Sequence, residues 1–153
     1  MSSNISTNLN DGRKIEISVV MPCLNEEKSV GVCVKKAYEC LSKLNVPAEI
    51  IVADNGSSDN SREIAASSGA IVVVQPDKGY GNAYLKGFSA ARGKYLIMGD
   101  SDDTYDFTRL GEWIAPLKND GCDMVMGNRF KGKIVSGAMP WHHKYIGNPI
   151  LSG

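Results

Sequence analysis

Residues 15–27 read IEISVVMPCLNEE, and the change of character inside this stretch decides the fold. Ile15 to Met21 is an apolar, β-branched run that predicts a strand, with Pro22 expected to end it. A polar loop follows at once. Val30, Val34, Ala37, Leu41 and Leu44 then recur at helical spacing, which predicts one face of a helix closed by Asn45 and Pro47. Glu49 to Ala53 is a second apolar run, stopped by Asp54-Asn55-Gly56. Strand, helix and strand in this order form a βαβ unit.

The same alternation continues outward. Asn60 to Ser68 predicts a short helix ended by Gly69, and Ala70 to Val74 a third strand. Asn82 to Ala91 predicts a helix stopped by Gly93, and Tyr95 to Gly99 a fourth strand. Leu110, Ile114 and Leu117 mark one face of a helix over Phe107 to Lys118, and Asp123 to Gly127 predicts a fifth strand. Near-continuous apolar strands of this kind are expected to be buried on both faces. The fold class is therefore α/β, a mostly parallel sheet with helices on both faces. In such sheets ligands lie outside the carboxyl ends of the strands.

The composition suits one globular domain: 153 residues, 42% hydrophobic and 22% charged. Seventeen Lys and Arg balance seventeen Asp and Glu, which argues against a nucleic-acid binder that relies on excess positive charge. The longest apolar runs, such as Ala70–Val74, fall far short of the roughly 20 residues that a spanning helix needs. Residues 1–14 are polar and read as a flexible arm without a signal peptide. Cys23, Cys33, Cys40 and Cys122 form no CxxC pair, so they read as reduced thiols, mostly core filler, in a cytoplasmic protein. The sequons at Asn4 and Asn55 read as chance.

Polar loops follow every expected strand. Asp100-Ser101-Asp102-Asp103-Thr104 is the sharpest of them. Carboxylates this close repel one another unless a cation offsets their charge. Mg²⁺ takes one or two carboxylates plus substrate phosphates, so Asp100 and Asp102 are candidate metal ligands. An acidic turn capping the next helix is the plain alternative. Asp54 fits an Asx-turn or a hydrogen bond to a base or ribose, and Asn55-Gly56 reads as turn chemistry. Lys78, Gly79 and Gly81 form a flexible turn or a phosphate approach. Arg129 is a surface ion-pair partner or a bidentate holder of a diphosphate. His142 and His143 read as surface residues. Trp141, Tyr145 and Ile146 are a candidate interfacial patch.

Taken together, these residues resemble a family 2 glycosyltransferase of the GT-A fold, from about Ile17 to Gly147. Val19 to Glu27 (VVMPCLNEE) resembles that family's first donor-binding loop, and Asp54 to Asp59 (DNGSSD) its D-[DN]-G-S-x-D loop. Asp100-Ser101-Asp102 resembles the D-x-D metal motif. Gly127-Asn128-Arg129-Phe130 is similar to a segment of the polyprenyl-phosphate hexosyltransferase branch. The resemblance implies a nucleotide-diphosphate sugar, UDP- or GDP-linked, as donor. Pro22, Leu24, Asn25, Glu26, Asp54 and Asn55 would hold it, with Lys78 and Gly79 near base and ribose. Asp100 and Ser101 would complete the donor contacts. Asp102, with Asp100, would carry Mg²⁺ or Mn²⁺, and Arg129 would steady the diphosphate or receive the acceptor phosphate.

The implied acceptor is a polyprenyl phosphate at a membrane surface, reached through parts beyond this chain, in the biosynthesis of cell-envelope glycans. Direct displacement would invert the anomeric centre, and an anionic phosphate acceptor needs no general base. Thr104 departs from the Gln often found there. The family's catalytic domain also runs longer, so residues 15–130 are expected to form the donor-binding domain and 131–153 the start of a truncated acceptor side. Two alternatives stand beside this reading. One is a donor-binding fragment without turnover. The other is a haloacid-dehalogenase-type phosphohydrolase using Asp100 and Asp102, although its D-x-D-x-T motif normally ends the first strand, not the fourth.

Overall fold

The computed structural model describes residues 12–127. Arg129, the histidine pair and the Trp141 patch lie outside the described residues, as does most of the N-terminal arm. The elements are β1 (Ile17–Cys23), α1 (Val30–Leu44), β2 (Ala48–Asp54), α2 (Ser61–Ser67), β3 (Ile71–Val74), α3 (Tyr80–Ala90) and β4 (Tyr95–Met98). A 3-10 turn (Phe107–Arg109) then runs into α4 (Leu110–Asn119). The strands form one parallel sheet in the order β3-β2-β1-β4. Succession runs outward from β1 to β3 and then jumps back to β4 on the other side of β1. That reversal creates a switch point between the carboxyl ends of β1 and β4.

Alternation along β1 and β2 divides the core. Ile17, Val19 and Met21, with Ala48, Ile50 and Val52, pack against the buried stripe of α1, against Ala65 of α2, and against Phe107, Leu110 and Ile114. Val20 and Ile51 point the other way and pack on Tyr84 of α3, with Phe88 beside them. Helices therefore cover both faces, as expected, but among the described residues α3 stands alone on the second. This leaves the edge strands less buried than the sequence suggests. Leu96 and Met98 of β4 are 45% and 50% exposed, and β3 is likewise half-open. Asn45 ends α1 in the left-handed conformation (φ 52°), as its position after the last apolar repeat implies.

Two further expectations need correction. Pro22 does not end β1 but lies within it, in register with Ala53 of β2. Around it the carbonyl of Val20 accepts from Gly99 N, whereas that of Cys23 accepts from Asn55 N. The missing N–H of Pro22 thus faces the β4 side, where ladder pairing has already ended at Val20–Met98, so the proline breaks no ladder bond. Residues 123–127 form no strand. They have no partner strand among the described residues, and Met124 and Met126 are exposed. Gly127 instead lies against the Trp113 ring of α4. All four cysteines are free; Cys23 and Cys33 lie in the core and Cys40 packs against it, while Cys122 is exposed.

The return from α3 to β4 is fastened by a buried carboxylate. Glu49 on β2 accepts from Ser18 Oγ at 2.7 Å, from the Arg92 backbone N at 2.7 Å, and from Arg92 Nε and Nη2 at 3.0 and 2.6 Å. Burial alone would raise its pKa. The Ser18 and Arg92 bonds outweigh that and hold it below the usual carboxylate range. Ser18 Oγ also accepts from Gly93 N at 2.8 Å. The amino end of β4 is thereby set against the start of β1.

Candidate functional site

A cavity of about 250 Å³ opens at the switch point. Pro22, Cys23 and Leu24 line it from the end of β1, with Glu26 just beyond. Asp100, Ser101 and Asp102 line it from the end of β4, and Asn55, Tyr80 and Ala83 close the sides. Of the residues singled out in the sequence, this brings together Pro22, Leu24, Glu26, Asn55, Asp100, Ser101 and Asp102. Asn25, Asp54, Lys78 and Gly79 are not in its lining.

The loops after β1 and β2 are interlocked, which explains why several of those side chains face inward to protein. Asn25 takes a left-handed backbone (φ 58°), and its Oδ1 accepts from Ser58 N at 2.8 Å. The backbone N of Asn25, Glu26 and Glu27 donates in turn to Ser57 Oγ, Ser61 Oγ and Asp59 Oδ2. Asp54 is fully buried. Its carboxylate accepts from Gly56 N, from Ser57 N and from Arg62 Nε, the last at 2.8 Å. Asn55 spans to the third loop: its Nδ2 donates to the carbonyls of Gln75 and Asp77, and its Oδ1 accepts from Gly79 N at 2.7 Å. Gly79, at φ 140°, makes the turn into α3.

The acidic loop offers a different picture. Ser101 Oγ is buried and donates to the Pro22 carbonyl at 2.7 Å, tying the loop to β1. Asp103 has φ 64° and pairs with Lys36 Nζ at 2.7 Å, tying the loop to α1. Asp102 Oδ1 accepts from Thr104 N and Oγ1 at 3.0 and 2.7 Å. Asp100 Oδ1 accepts from Tyr80 and Tyr84 hydroxyls at 2.6 and 3.2 Å. The second oxygen of each aspartate has no partner among the described residues. Two carboxylates on one cavity wall, each with an oxygen to spare, fit a hard cation that also binds substrate phosphate. Among the described residues no group of three or more His, Cys, Asp or Glu is placed to hold a metal ion.

Burial pushes the Cys23 thiol in the cavity wall upward, so it stays protonated and acts as apolar lining. Burial, with the neighbouring Tyr80 hydroxyl and the Asp100 charge, likewise raises Tyr84. Sequence reasoning missed Tyr80, Tyr84 and Arg62. The signal for the tyrosines was present: an i, i+4 pair in a helix that starts at a strand-end loop.

The comparisons with known proteins agree with this geometry. Residues 18–152 match the family model "Glycosyl transferase family 2". The chain is 44% identical over 136 residues to the low-salt glycan biosynthesis hexosyltransferase Agl6 of Haloferax volcanii, covering 89% of this chain and 33% of that protein. It is 38% identical over 114 residues to protein RfbJ of Shigella flexneri, covering 74% of this chain and 84% of that one. It thus spans only a third of the length of Agl6. Among solved structures it is similar to glucosyl-3-phosphoglycerate synthase of Mycobacterium tuberculosis in complex with Mn²⁺, UDP-glucose and phosphoglyceric acid. That likeness has a TM-score of 0.57 at 30% identity and covers 71% of this chain and 40% of that one. The D-x-D-x-T reading as a phosphohydrolase is set aside by this match and by the motif's place after β4. A four-stranded parallel GT-A-type sheet, loops interlocked at its carboxyl edge, and a family match over most of the sequence lead to one conclusion: the chain belongs to glycosyltransferase family 2.

Proposed function

We propose that the cavity binds a nucleotide-diphosphate sugar with a divalent cation, and that the whole protein transfers the hexose to a polyprenyl phosphate with inversion. The observation that carries this reading is the meeting of Asp100 and Asp102 with Leu24 and Asn55 around one cavity at the switch point. The mycobacterial synthase, crystallised with UDP-glucose and Mn²⁺, supports the donor class. In this reading Asp102 holds Mg²⁺ or Mn²⁺, and Asp100 accepts from a ribose or sugar hydroxyl through its unpartnered oxygen. The bound cation would neutralise charge developing on the diphosphate leaving group. Leu24 gives an apolar wall for the base, while Asn25, Asp54 and Asn55 act by holding the loops that shape it. Lys78 and Gly79 lie at the turn into α3, at the flank of the cavity. Arg129 is proposed as the cation on the diphosphate or acceptor phosphate.

The polyprenyl phosphate rests on the Gly127–Phe130 segment and on the glycan role in the name of Agl6. Such an acceptor arrives as an anion, so Asp100 and Asp102 need not remove a proton from it. Among the described residues no helix is long and apolar enough to cross a membrane, and work at the cytoplasmic face of a membrane is part of this proposal. A second reading is a small phosphorylated acceptor, favoured by the phosphoglyceric acid in the mycobacterial complex. The test is transfer of labelled hexose from UDP- and GDP-sugars with Mn²⁺ to polyprenyl phosphate in detergent, run beside 3-phosphoglycerate. Label in the lipid fraction is the expected result. Label on phosphoglycerate alone would replace the lipid reading, and no label on either would leave a donor-binding fragment.

A further inference from the structure

We propose that Tyr80 and Tyr84 are positioning residues for Asp100, turning its unpartnered oxygen into the cavity to receive a ligand hydroxyl. This rests on the reading of the cavity as a nucleotide-sugar site. The two phenols converge on one oxygen, Asp100 Oδ1, at 2.6 and 3.2 Å. That oxygen has its lone pairs in use, and the carboxylate can rotate only by breaking both bonds. The other oxygen is thereby oriented as well as free.

The tyrosines are themselves fixed from elsewhere in the fold. Tyr84 is buried, packs on Val20 and Ile51, and lies 5.6 Å from the Phe88 ring. Its hydroxyl is placed by the sheet rather than by the acidic loop. Tyr80 is 61% exposed, so its position rests on its contacts with α3 and Asp100 rather than on burial. Its ring stands edge-to-face on Tyr84, with centroids 5.0 Å apart and planes at 83°. The start of its helix is pinned through Gly79 N to Asn55 Oδ1 at 2.7 Å. A path of contacts therefore runs from the central strands through α3 to Asp100. Asp102 lacks such support: both donors to it come from Thr104 in its own loop.

Tyr80→Phe and Tyr84→Phe remove only the hydroxyls and keep the packing. The experiment measures the dissociation constants of UDP and GDP by calorimetry on wild type and both variants. For the nucleotide that wild type binds, the 2′-deoxy and 3′-deoxy forms are then measured. Wild type is expected to prefer the full nucleotide over one deoxy form. Each variant should lose about three- to tenfold in affinity for the full nucleotide. Neither should lose more than about twofold for that deoxy form, so the preference collapses, while the gain in affinity on adding Mn²⁺ persists. An equal loss for full and deoxy nucleotide would mean that the tyrosines only support the fold, and would overturn the proposal. Unchanged affinity in both variants would overturn it too. No nucleotide binding by wild type would instead sink the donor-site reading beneath it.

Discussion

Asp54→Ala is expected to lower stability by about 2–4 kcal/mol, the cost of opening a buried, charge-assisted cluster. The carboxylate sits at the end of β2 with no solvent exposure. It is the acceptor for the backbone N–H of Gly56 and Ser57 and for Arg62 Nε. Alanine leaves the buried Ser57 N–H without its acceptor, whereas the exposed Gly56 N–H can turn to water. Arg62 side-chain exposure is 42%, so its charge can turn toward solvent. That keeps the cost below the upper end for a fully buried pair. The damage should spread, because Ser57 of the same loop and Ser61 at the start of α2 hold the backbone of Asn25 and Glu26, and Glu26 lines the cavity. Asp54→Asn, which keeps the shape and one acceptor oxygen, should fall between. Urea unfolding checks both, and an Asp54→Ala midpoint equal to wild type would refute the account of this loop.

Gly93→Ala is expected to cost about 3 kcal/mol or more, the upper range for overpacking. A Cβ there would stand 2.5 Å from Ser18 N and 2.7 Å from both Ile17 C and Ser18 Oγ. The first two are backbone atoms of the central strand, which cannot swing aside as a side-chain tip can. The third is the hydroxyl that joins Glu49 to Gly93. Relief requires β4 to move off β1, and with it the loop bearing Asp100 and Asp102. Gly81→Ala is the matched control. Nothing lies within 4 Å of its Cβ position, and alanine in a helix should be neutral or stabilising by up to about 1 kcal/mol. Thermal unfolding of the two variants separates steric contact from loss of glycine as such. Similar midpoints would count against the close approach of β1 and the α3–β4 turn.

The elements that were legible in the sequence are those whose signal is local. The α1 stripe from Val30 to Leu41 and its Asn45 cap state their own period and end. The apolar runs of β1 and β2 are buried because they are the inner strands of the sheet. Where a feature depends on a distant neighbour, the local pattern misleads. Residues 123–127 hold a short apolar run that reads as a strand, yet a strand exists only with a partner to receive its backbone hydrogen bonds. Pro22 reads as a stop, and only the length of β4 makes it harmless.

The site shows the same division. Asp100 and Asp102 were visible as clustered charge, and their place on a cavity wall follows from the switch-point rule. The Asx-turn at Asp54 was legible, but the ties that Asn25, Asp54 and Asn55 make to other segments were not, because polar residues that hold a loop and polar residues that hold a ligand look alike in sequence. Only the partners separate them: Ser58, Arg62 and Gly79, none adjacent in the chain.

The most direct measurement is a calorimetric titration of the chain with UDP and GDP, each with and without Mn²⁺, repeated on Asp102→Ala. The account predicts that one nucleotide binds, that Mn²⁺ tightens it by tenfold or more (about 1.4 kcal/mol), and that Asp102→Ala removes this gain while remaining folded. A folded wild-type chain that binds neither nucleotide, or binds one equally with and without Mn²⁺, would contradict it.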